Sequence, residues 1–488
     1  MLVILSFNFA RILEQALKGG VSAATGMLIG GLFFASNATC QETLTTLASF
    51  NGTNGARPYS ALLQGADGNF YGTTSGGGAF SRGTIFKMTP AGMIITLVSF
   101  DGDNGALPYA SLIQTADGNF YGTTSTGGAF GKGTVYELSA VGLLATLVSF
   151  NGVNGYYPYA GLVLGADDEL YGTTVYGGAF DDGTIFKVRR QSSVEIMASK
   201  GDLTTLLTFN GTNGYGPSGG LALGLDGDFY GATTRGVAND DGTVFRMSPD
   251  GAGRILGVFT GPNGSLPYAG LVQDSTGYFY GVTEGGGTNQ SAGKPGTIFK
   301  VSPNGGITSV YSFGATLDAR GYPIDGASPR VTLLQGSTGN FYGTALEGGE
   351  YGSGTLFHLV LDPVTSAFVS FTSLISFNVT NGAYPAAGLI MGTDGAFYGT
   401  TSGGGSFGYG TVFKLTMPAP VLQAKAQRSG SMNLTLTAVP GQTYQFQFKP
   451  DVRTVWRYLL STNSPSTTVT VPVSTGFARQ FYRAVLIK

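Results

Sequence analysis

The chain has 488 residues, a formal net charge of -2 and 11% charged side chains, with 81 glycines, 33 Phe and 25 Tyr. It lacks the basic excess that follows a phosphate backbone, so no nucleic-acid partner is expected. One Cys and one His exclude a disulfide framework and a His-rich metal site, and 42% apolar residues exclude a disordered chain.

Residues 1–38 read as an export signal. Arg11 and Lys18 precede an apolar, small-residue stretch from Val21 to Ser36, and Ser36-Asn37-Ala38 fits a small-x-small cleavage site. The mature chain then starts near Thr39. The apolar run is short for a bilayer span. An uncleaved anchor competes with this reading. So does lipidation of Cys40, although Asn37-Ala38-Thr39 lacks the Leu-type residue expected before a lipidated cysteine. The expectation is a secreted protein, in the periplasm, at the cell surface or outside the cell. It is a monomer, with no membrane insertion after cleavage.

From Leu44 to Met417 the sequence repeats itself. A Tyr-Gly core recurs at Tyr71, Tyr121, Tyr171, Tyr230, Tyr280, Tyr342 and Tyr398, giving seven units of roughly 50 residues. Each unit holds four strand candidates, which in the first are 59–65, 70–74, 83–88 and 94–100. Asp67-Gly68 between the first two is a hairpin turn signal. Adjacent apolar residues such as Ile85 and Phe86 suit a sheet covered on both faces. Four strands per unit at this period predict a β-propeller.

Counting strands predicts how the ring closes. The fourth-strand motif occurs at 44–50, 94–100, 144–150, 203–209, 253–259, 307–313 and 371–377. The first copy precedes the first complete triplet, and the last triplet has no fourth strand after it. Residues 44–50 are therefore expected to complete the seventh blade and remove the open sheet edges. Gly72 and its counterparts, inside the second strand, suggest close backbone approach or a bulge. Pro58 and its counterparts sit at the entry to the first strand.

These residues resemble a known family. Asp-Gly-Asn-Phe-Tyr-Gly-Thr-Thr from Asp67, then Gly-Gly, then Gly-Thr-Ile-Phe-Lys from Gly83 and Leu-x-Ser-Phe from Leu97 are similar to the GloVer-type tandem repeat of secreted bacterial proteins. The resemblance spans 44–417. It implies an exported, often surface-associated protein and supplies no catalytic motif. Kelch propellers share the period and a Gly-Gly pair, but the only Trp, Trp456, lies outside the repeats.

Pro418-Ala-Pro420 marks a boundary, and 421–488 lose the repeat. Alternating segments at 433–438, 443–448, 455–460, 467–471 and 481–487 predict a small all-β sandwich, with Trp456 in its core. Pro440-Gly441 with the following Gln-rich strand, and Phe481-Tyr482-Arg483, resemble fibronectin-III-like tails of secreted bacterial proteins. The expected fold is all-β: a seven-bladed β-propeller closed by 44–50, plus a C-terminal β-sandwich.

Loops on a rigid scaffold are the default place for binding. Those entering each blade and those joining second to third strands are expected on one face. Asn54, Asn104 and Asn154 recur in the first set, with Asn213, Asn263 and Asn381. Phe80, Phe130, Phe180, Tyr351 and Phe407 recur in the second. Rings that stack on sugar C–H faces beside hydroxyl-binding amides suit an extracellular glycan. The plainer reading is that Asn-Gly makes turns and Phe packs between blades. A cell-envelope protein partner and a purely structural role are the other possibilities.

A polysaccharide hydrolase or lyase is the enzymatic alternative and needs two carboxylates in a cleft. Asp181, Asp182, Asp240, Asp241, Glu284, Glu347 and Glu350 are available. Glu284 and Glu347 depart from the repeat consensus, as an asymmetric site on a symmetric scaffold would. No catalytic residue, cofactor or metal is assigned. Asp101-Gly-Asp103-Asn104 lacks most ligands of a calcium loop, and His358, which replaces a Lys on a third strand, reads as structural. Four insertions break the period, at 189–202, 288–295, 314–328 and 360–370. The third, with Asp318, Arg320, Tyr322 and Asp325, is the expected source of specificity.

Overall fold

The structure, a computed structural model, describes residues 2–6, 42–190, 202–417 (save 238, 290–292, 294, 337–338 and 363–364) and six strands within 421–487. Residues 7–41, with the cleavage site and Cys40, lie outside the described residues, as do most of the 189–202 insertion and Trp456. Two compact units emerge: Leu44–Leu415, and Met1–Thr43 with Thr416–Lys488. No helix among the described residues is long and apolar enough to cross a membrane.

The larger unit is a seven-bladed propeller. Each blade is a four-stranded antiparallel meander, in the first blade Leu63–Gln64, Phe70–Thr74, Thr84–Met88 and Ile94–Ser99. The seventh blade runs in the order Thr43–Ser49, Thr411–Thr416, Phe397–Thr401, Ile390–Met391. The N-terminal strand is thus the outer strand of the last blade, and the ring closes as the strand count requires. Phe70–Thr74 is buried at every residue, which is why its alternation is lost: both faces of each sheet meet a neighbouring blade.

Those junctions are built from a repeating aromatic pair. The second-strand Tyr of one blade stacks on the second-strand Phe of the next: Tyr71 on Phe120 at 4.4 Å, Tyr171 on Phe229 at 4.2 Å and Tyr230 on Phe279 at 4.0 Å. Tyr280 on Phe341 and Tyr342 on Phe397 follow, each at 4.4 Å, and Tyr398 on Phe70 at 4.3 Å joins the last blade to the first. Only between the second and third blades does Tyr121 meet an aliphatic residue, Leu170. Each such ring pair contributes about 0.5–1.5 kcal/mol beyond area burial.

Two expectations change in detail. The first strand, expected over 59–65, forms a ladder only at Leu63–Gln64. Upstream of it Ser60 Oγ takes over, accepting from Thr73 N at 3.0 Å and donating to Thr73 O at 3.2 Å. Ala61 N donates instead to Ser111 Oγ of the next blade at 3.0 Å. The in-strand glycine has a side-chain cause: a Cβ on Gly72 would stand 2.7 Å from Phe86 Cζ.

The same ring position explains an outlier. Phe86, Phe186, Phe245, Phe299, Phe357 and Phe413 have Tyr136 as their second-blade counterpart, and the Tyr136 hydroxyl is buried without a partner among the described residues. An unpaired buried hydroxyl costs about 1–3 kcal/mol. Tyr136→Phe is therefore expected to raise the urea midpoint, with a gain of about 1 kcal/mol. A lower midpoint would show that the hydroxyl is satisfied.

The face opposite the binding loops carries tied-down turns. Asp67 Oδ1 accepts from Asn69 N at 3.1 Å, and Oδ2 accepts from Tyr71 OH at 2.9 Å and Lys87 Nζ at 2.8 Å. Burial pulls this carboxyl up, but the Lys87, Asn69 and Tyr71 hydrogen bonds outweigh it and hold it well below the usual carboxylate range. Asp67 is a turn former with a charge partner, as its place after the first strand suggests.

The smaller unit holds two antiparallel sheets. One has three strands, Val421–Ala426, Ser431–Thr437 and Thr468–Ser474. The other has four, in the order Leu2–Ser6, Phe481–Ile487, Thr443–Lys449, Arg457–Asn463. Val421–Ala426 and Leu2–Ser6 are additions to the expected strands. Leu2–Ser6 runs antiparallel to Phe481–Ile487, with Leu2 opposite Val485 and Ser6 opposite Phe481.

Candidate functional site: a tyrosine-lined mouth on the loop face

The two loop sets do share a face. Gly78 N donates to Gly52 O at 2.9 Å, and Ala56 N to Gly76 O at 2.8 Å. The recurring asparagines serve the loops themselves. Asn54 Oδ1 accepts from Asn51 N at 2.9 Å, and Asn51 Oδ1 accepts from Asn54 N at 3.0 Å. Asn104 with Asp101, and Asn154 with Asn151, repeat this reciprocal turn. The Asp101 carboxylate is used the same way, and no group of three His, Cys, Asp or Glu side chains suited to a metal occurs among the described residues.

The loop aromatics differ from the plainer reading. Phe80, Phe130, Phe180, Tyr351 and Phe407 are 57–62% exposed. Their exposure shows that they do not pack between blades. Beside them the chain turns at left-handed residues, Ser81 (φ 56°) and Asp181 (φ 63°) among them.

Nearer the axis lies a feature that the Asn and Phe patterns do not reveal. The residue before each entry proline is left-handed in all seven blades: Arg57, Leu107, Tyr157, Gly216, Leu266, Ser328 and Tyr384 have φ between 53° and 66°. In non-glycine residues this costs about 1–2 kcal/mol each. Hydrogen bonds at both ends hold it. Arg57 N donates to Tyr409 O at 2.9 Å, while Arg57 O accepts from Ser75 N at 3.1 Å and Ser75 Oγ at 3.0 Å.

The residues after these prolines are Tyr59, Tyr109, Tyr159, Ser218, Tyr268, Arg330 and Ala386. Tyr59 and Tyr109 have ring centroids 5.3 Å apart, and Tyr109 and Tyr159 5.1 Å. Equivalent side chains of successive blades touch only where the blades converge, so these rings line the central mouth. The row continues through Tyr157, 6.2 Å from Tyr159, to Tyr176 at 6.1 Å and Tyr156 at 5.4 Å. Lys132 Nζ lies over the Tyr156 ring at 5.0 Å. Tyr159 is 38% exposed and Tyr176 42%. Burial pushes the Tyr109 and Tyr159 hydroxyls up, which keeps both phenols neutral.

Across the mouth the lining is charged. Arg330 pairs with Glu284 and stacks over Tyr268, with its guanidinium carbon 5.4 Å from the ring centroid. Glu284 stands where Ser75 Oγ, and likewise Ser125, Thr234 and Ser402, bonds the left-handed residue's carbonyl. Losing that bond frees the carboxylate for Arg330 of the next blade. Glu347 shares no such pair among the described residues: its backbone bridges Ala327 and it is exposed.

Two other carboxylates of this face, Asp181 and Asp240, are engaged in the loops. Asp181 accepts from Gly177 N at 3.1 Å and Tyr156 OH at 3.3 Å, and Asp240 from Gly236 N at 3.0 Å and Arg235 at 2.8 Å. Burial, then the neighbouring Asp181, raises Asp182. In the 314–328 insertion Asp318 Oδ1 accepts from Tyr322 N at 2.9 Å, leaving the Tyr322 ring 64% exposed. His358 is 4% exposed on a third strand, bonded to Asn340 at 2.8 Å and stacked on Tyr342 at 4.4 Å, far in chemistry from a nucleophile triad. The mouth tyrosines had a readable signal in the Pro-Tyr pairs at 58–59, 108–109, 158–159 and 267–268.

The propeller is similar to solved structures at low identity. One is a putative oxidoreductase (glucose dehydrogenase) from Thermus thermophilus, with 18% identity over 63% of this chain and 96% of that chain, TM-score 0.41. Another is a PQQ-bound aldose sugar dehydrogenase from Streptomyces coelicolor, with 15% identity, 77% and 98% coverage and TM-score 0.39. A third is a gluconolactonase from Xanthomonas campestris, with 12% identity, 62% and 85% coverage and TM-score 0.38. No curated protein matches in sequence. The model of the Gloeobacter/Verrucomicrobia repeat matches residues 18–200, 194–324 and 296–439, which is most of the chain and every blade, and the chain belongs to that repeat family.

Proposed function

We propose that the protein is an exported binding protein that recognises an extracellular glycan at the tyrosine-lined mouth. The contiguous row of tyrosines across the first three blades carries this reading. Flat rings cover the C–H faces of sugars, phenol hydroxyls bond their oxygens, and the propeller holds both without reorganisation. Engagement of Asp181 and Asp240 in loop contacts, and of Glu284 with Arg330, favours binding over hydrolysis.

The test is purified residues 39–488 on a glycan array, beside Tyr159→Ala and Tyr176→Ala. Both rings are partly exposed, so the fold is expected to survive. Truncating a central aromatic contact costs about 2 kcal/mol, a roughly thirtyfold weaker Kd for each variant. Binding that both variants retain would remove the mouth from the site. A folded protein with no hit would turn the search to an envelope-protein partner.

A further inference from the structure

Three of the four insertions that break the repeat converge on one place. Residues from 288–295, 314–328 and 360–370 meet the fourth strand of the fifth blade around a cleft of about 390 Å³. Thr288 and Asn289 come from the first insertion, Ala315 from the second and Phe368 from the third, while Ser309, Tyr311 and Ser312 lie on the strand. A ring of near-identical blades offers no reason for three independent departures to cluster. A shared ligand offers one.

The cleft is held rigid. Asn289 Nδ2 donates to Ser312 O at 2.8 Å and Phe313 O at 2.7 Å, which ties the first insertion to the strand end. Asp325, 5% exposed, accepts from Tyr311 OH at 2.7 Å, Gly314 N at 3.1 Å and Ala315 N at 3.0 Å. This carboxylate fixes both the second insertion and the Tyr311 ring. Tyr311 lies parallel to Phe371, 4.0 Å between centroids, with Phe368 on the same stack at 5.9 Å. Tyr311 stands where other blades carry Val98 and Val148, so the ring is specific to this blade.

The lining chemistry selects the ligand class. It combines two aromatic rings with three hydroxyl side chains and an amide, and among the described residues no charged side chain lines it. An anionic ligand would be desolvated there without a counter-charge. A ring with one apolar C–H face and several neutral hydroxyls fits. The volume is at the lower end of the roughly 300–1,000 Å³ typical of small-molecule sites. We propose that this cleft is a second binding site, separate from the mouth, that takes a neutral sugar ring.

The experiment titrates the full exported chain by saturation-transfer NMR. The probes are glucose, galactose, mannose, xylose, N-acetylglucosamine and their short oligomers, with glucuronate and galacturonate as anionic counterparts. At least one neutral sugar is expected to bind saturably. Phe368→Ala is expected to weaken it about tenfold or more, and Ala315→Trp, which fills the opening from an exposed position, to abolish it. The titration and both cleft variants are made in a Tyr159→Ala, Tyr176→Ala background, which disables the mouth, so the cleft is read by itself and the two sites fail separately. Binding of uronates alone, binding indifferent to both cleft variants, or no neutral sugar bound by the folded chain would each overturn the proposal.

Discussion

Phe50→Ala is expected to destabilise the propeller by about 3–5 kcal/mol, the range for emptying a fully buried Phe site. Phe50 is 0% exposed and packs edge-on against Phe86 of the first blade at 5.1 Å. It shares one core with Leu62, Phe70 and Met88 of that blade and Ala396, Tyr398 and Val412 of the seventh, and its N–H donates to Gly410 O at 2.9 Å. It is the bolt of the closing strand Thr43–Ser49. The control is Phe209→Ala, an equally buried counterpart within the continuous chain. Both lose similar packing, but only Phe50→Ala also loosens the strand through which the seventh blade is completed by the chain that leads into the first. Urea unfolding should give comparable losses for the two variants, whereas native-state proteolysis should cut near residues 43–50 in Phe50→Ala alone. A loss below about 1 kcal/mol, or equal protease resistance, would mean that the ring is closed chiefly by Tyr398 on Phe70.

The architecture was legible because a repeat multiplies weak signals. One copy of Phe70-Tyr71-Gly72-Thr73-Thr74 is an ambiguous apolar run, but seven copies with the same turns admit few folds, and the unmatched fourth strand at 44–50 dictates closure. The errors fall where tertiary contacts override local pattern. The segment 59–62 has strand-like composition, yet Ser60 Oγ and Ser111 Oγ replace the ladder at the crowded axis. Gly72 declares a close approach without saying to what, since the Phe86 ring reaches it across the sheet.

The candidate site was less legible for a related reason. Asn54 and Phe80 stand out because they recur, but recurrence marks what every blade needs, and the Asn-Gly turns are one such need. Recognition features need not recur. Glu284 was readable as a departure, and its pairing with Arg330 accounts for it. Tyr311 and Phe368 sit in positions whose meaning depends on which insertions fold together, and no local pattern encodes that convergence.

Acidification from pH 6.5 to pH 4 is expected to destabilise the propeller chiefly through one residue, His358. Burial pushes its imidazole down from 6.5 to about 4. Between those values the unfolded chain binds a proton there and the folded chain does not. Its stabilising contribution is therefore complete above pH 6.5 and is lost as pH falls through the window. The gap of roughly 2.5 units corresponds to about 3 kcal/mol. The sequence explains the burial: Thr338 stands where Asp67 does in the first blade, so the carboxylate partner of Lys87 has no counterpart, and a neutral ring on Tyr342 replaces the cation. Asp67 and its kin, held below the usual range, begin to lose their contribution below about pH 5, in the parent and the variant alike. Glu137, raised first by burial, acts with the opposite sign above its ordinary value. The measurement that isolates His358 is thus a difference: urea unfolding at pH 7 and 4.5 for the parent and for His358→Gln, whose amide still reaches Asn340. The variant is expected to lose most of the extra acid sensitivity. Equal slopes in the two proteins would mean that the imidazole is protonated in the folded state.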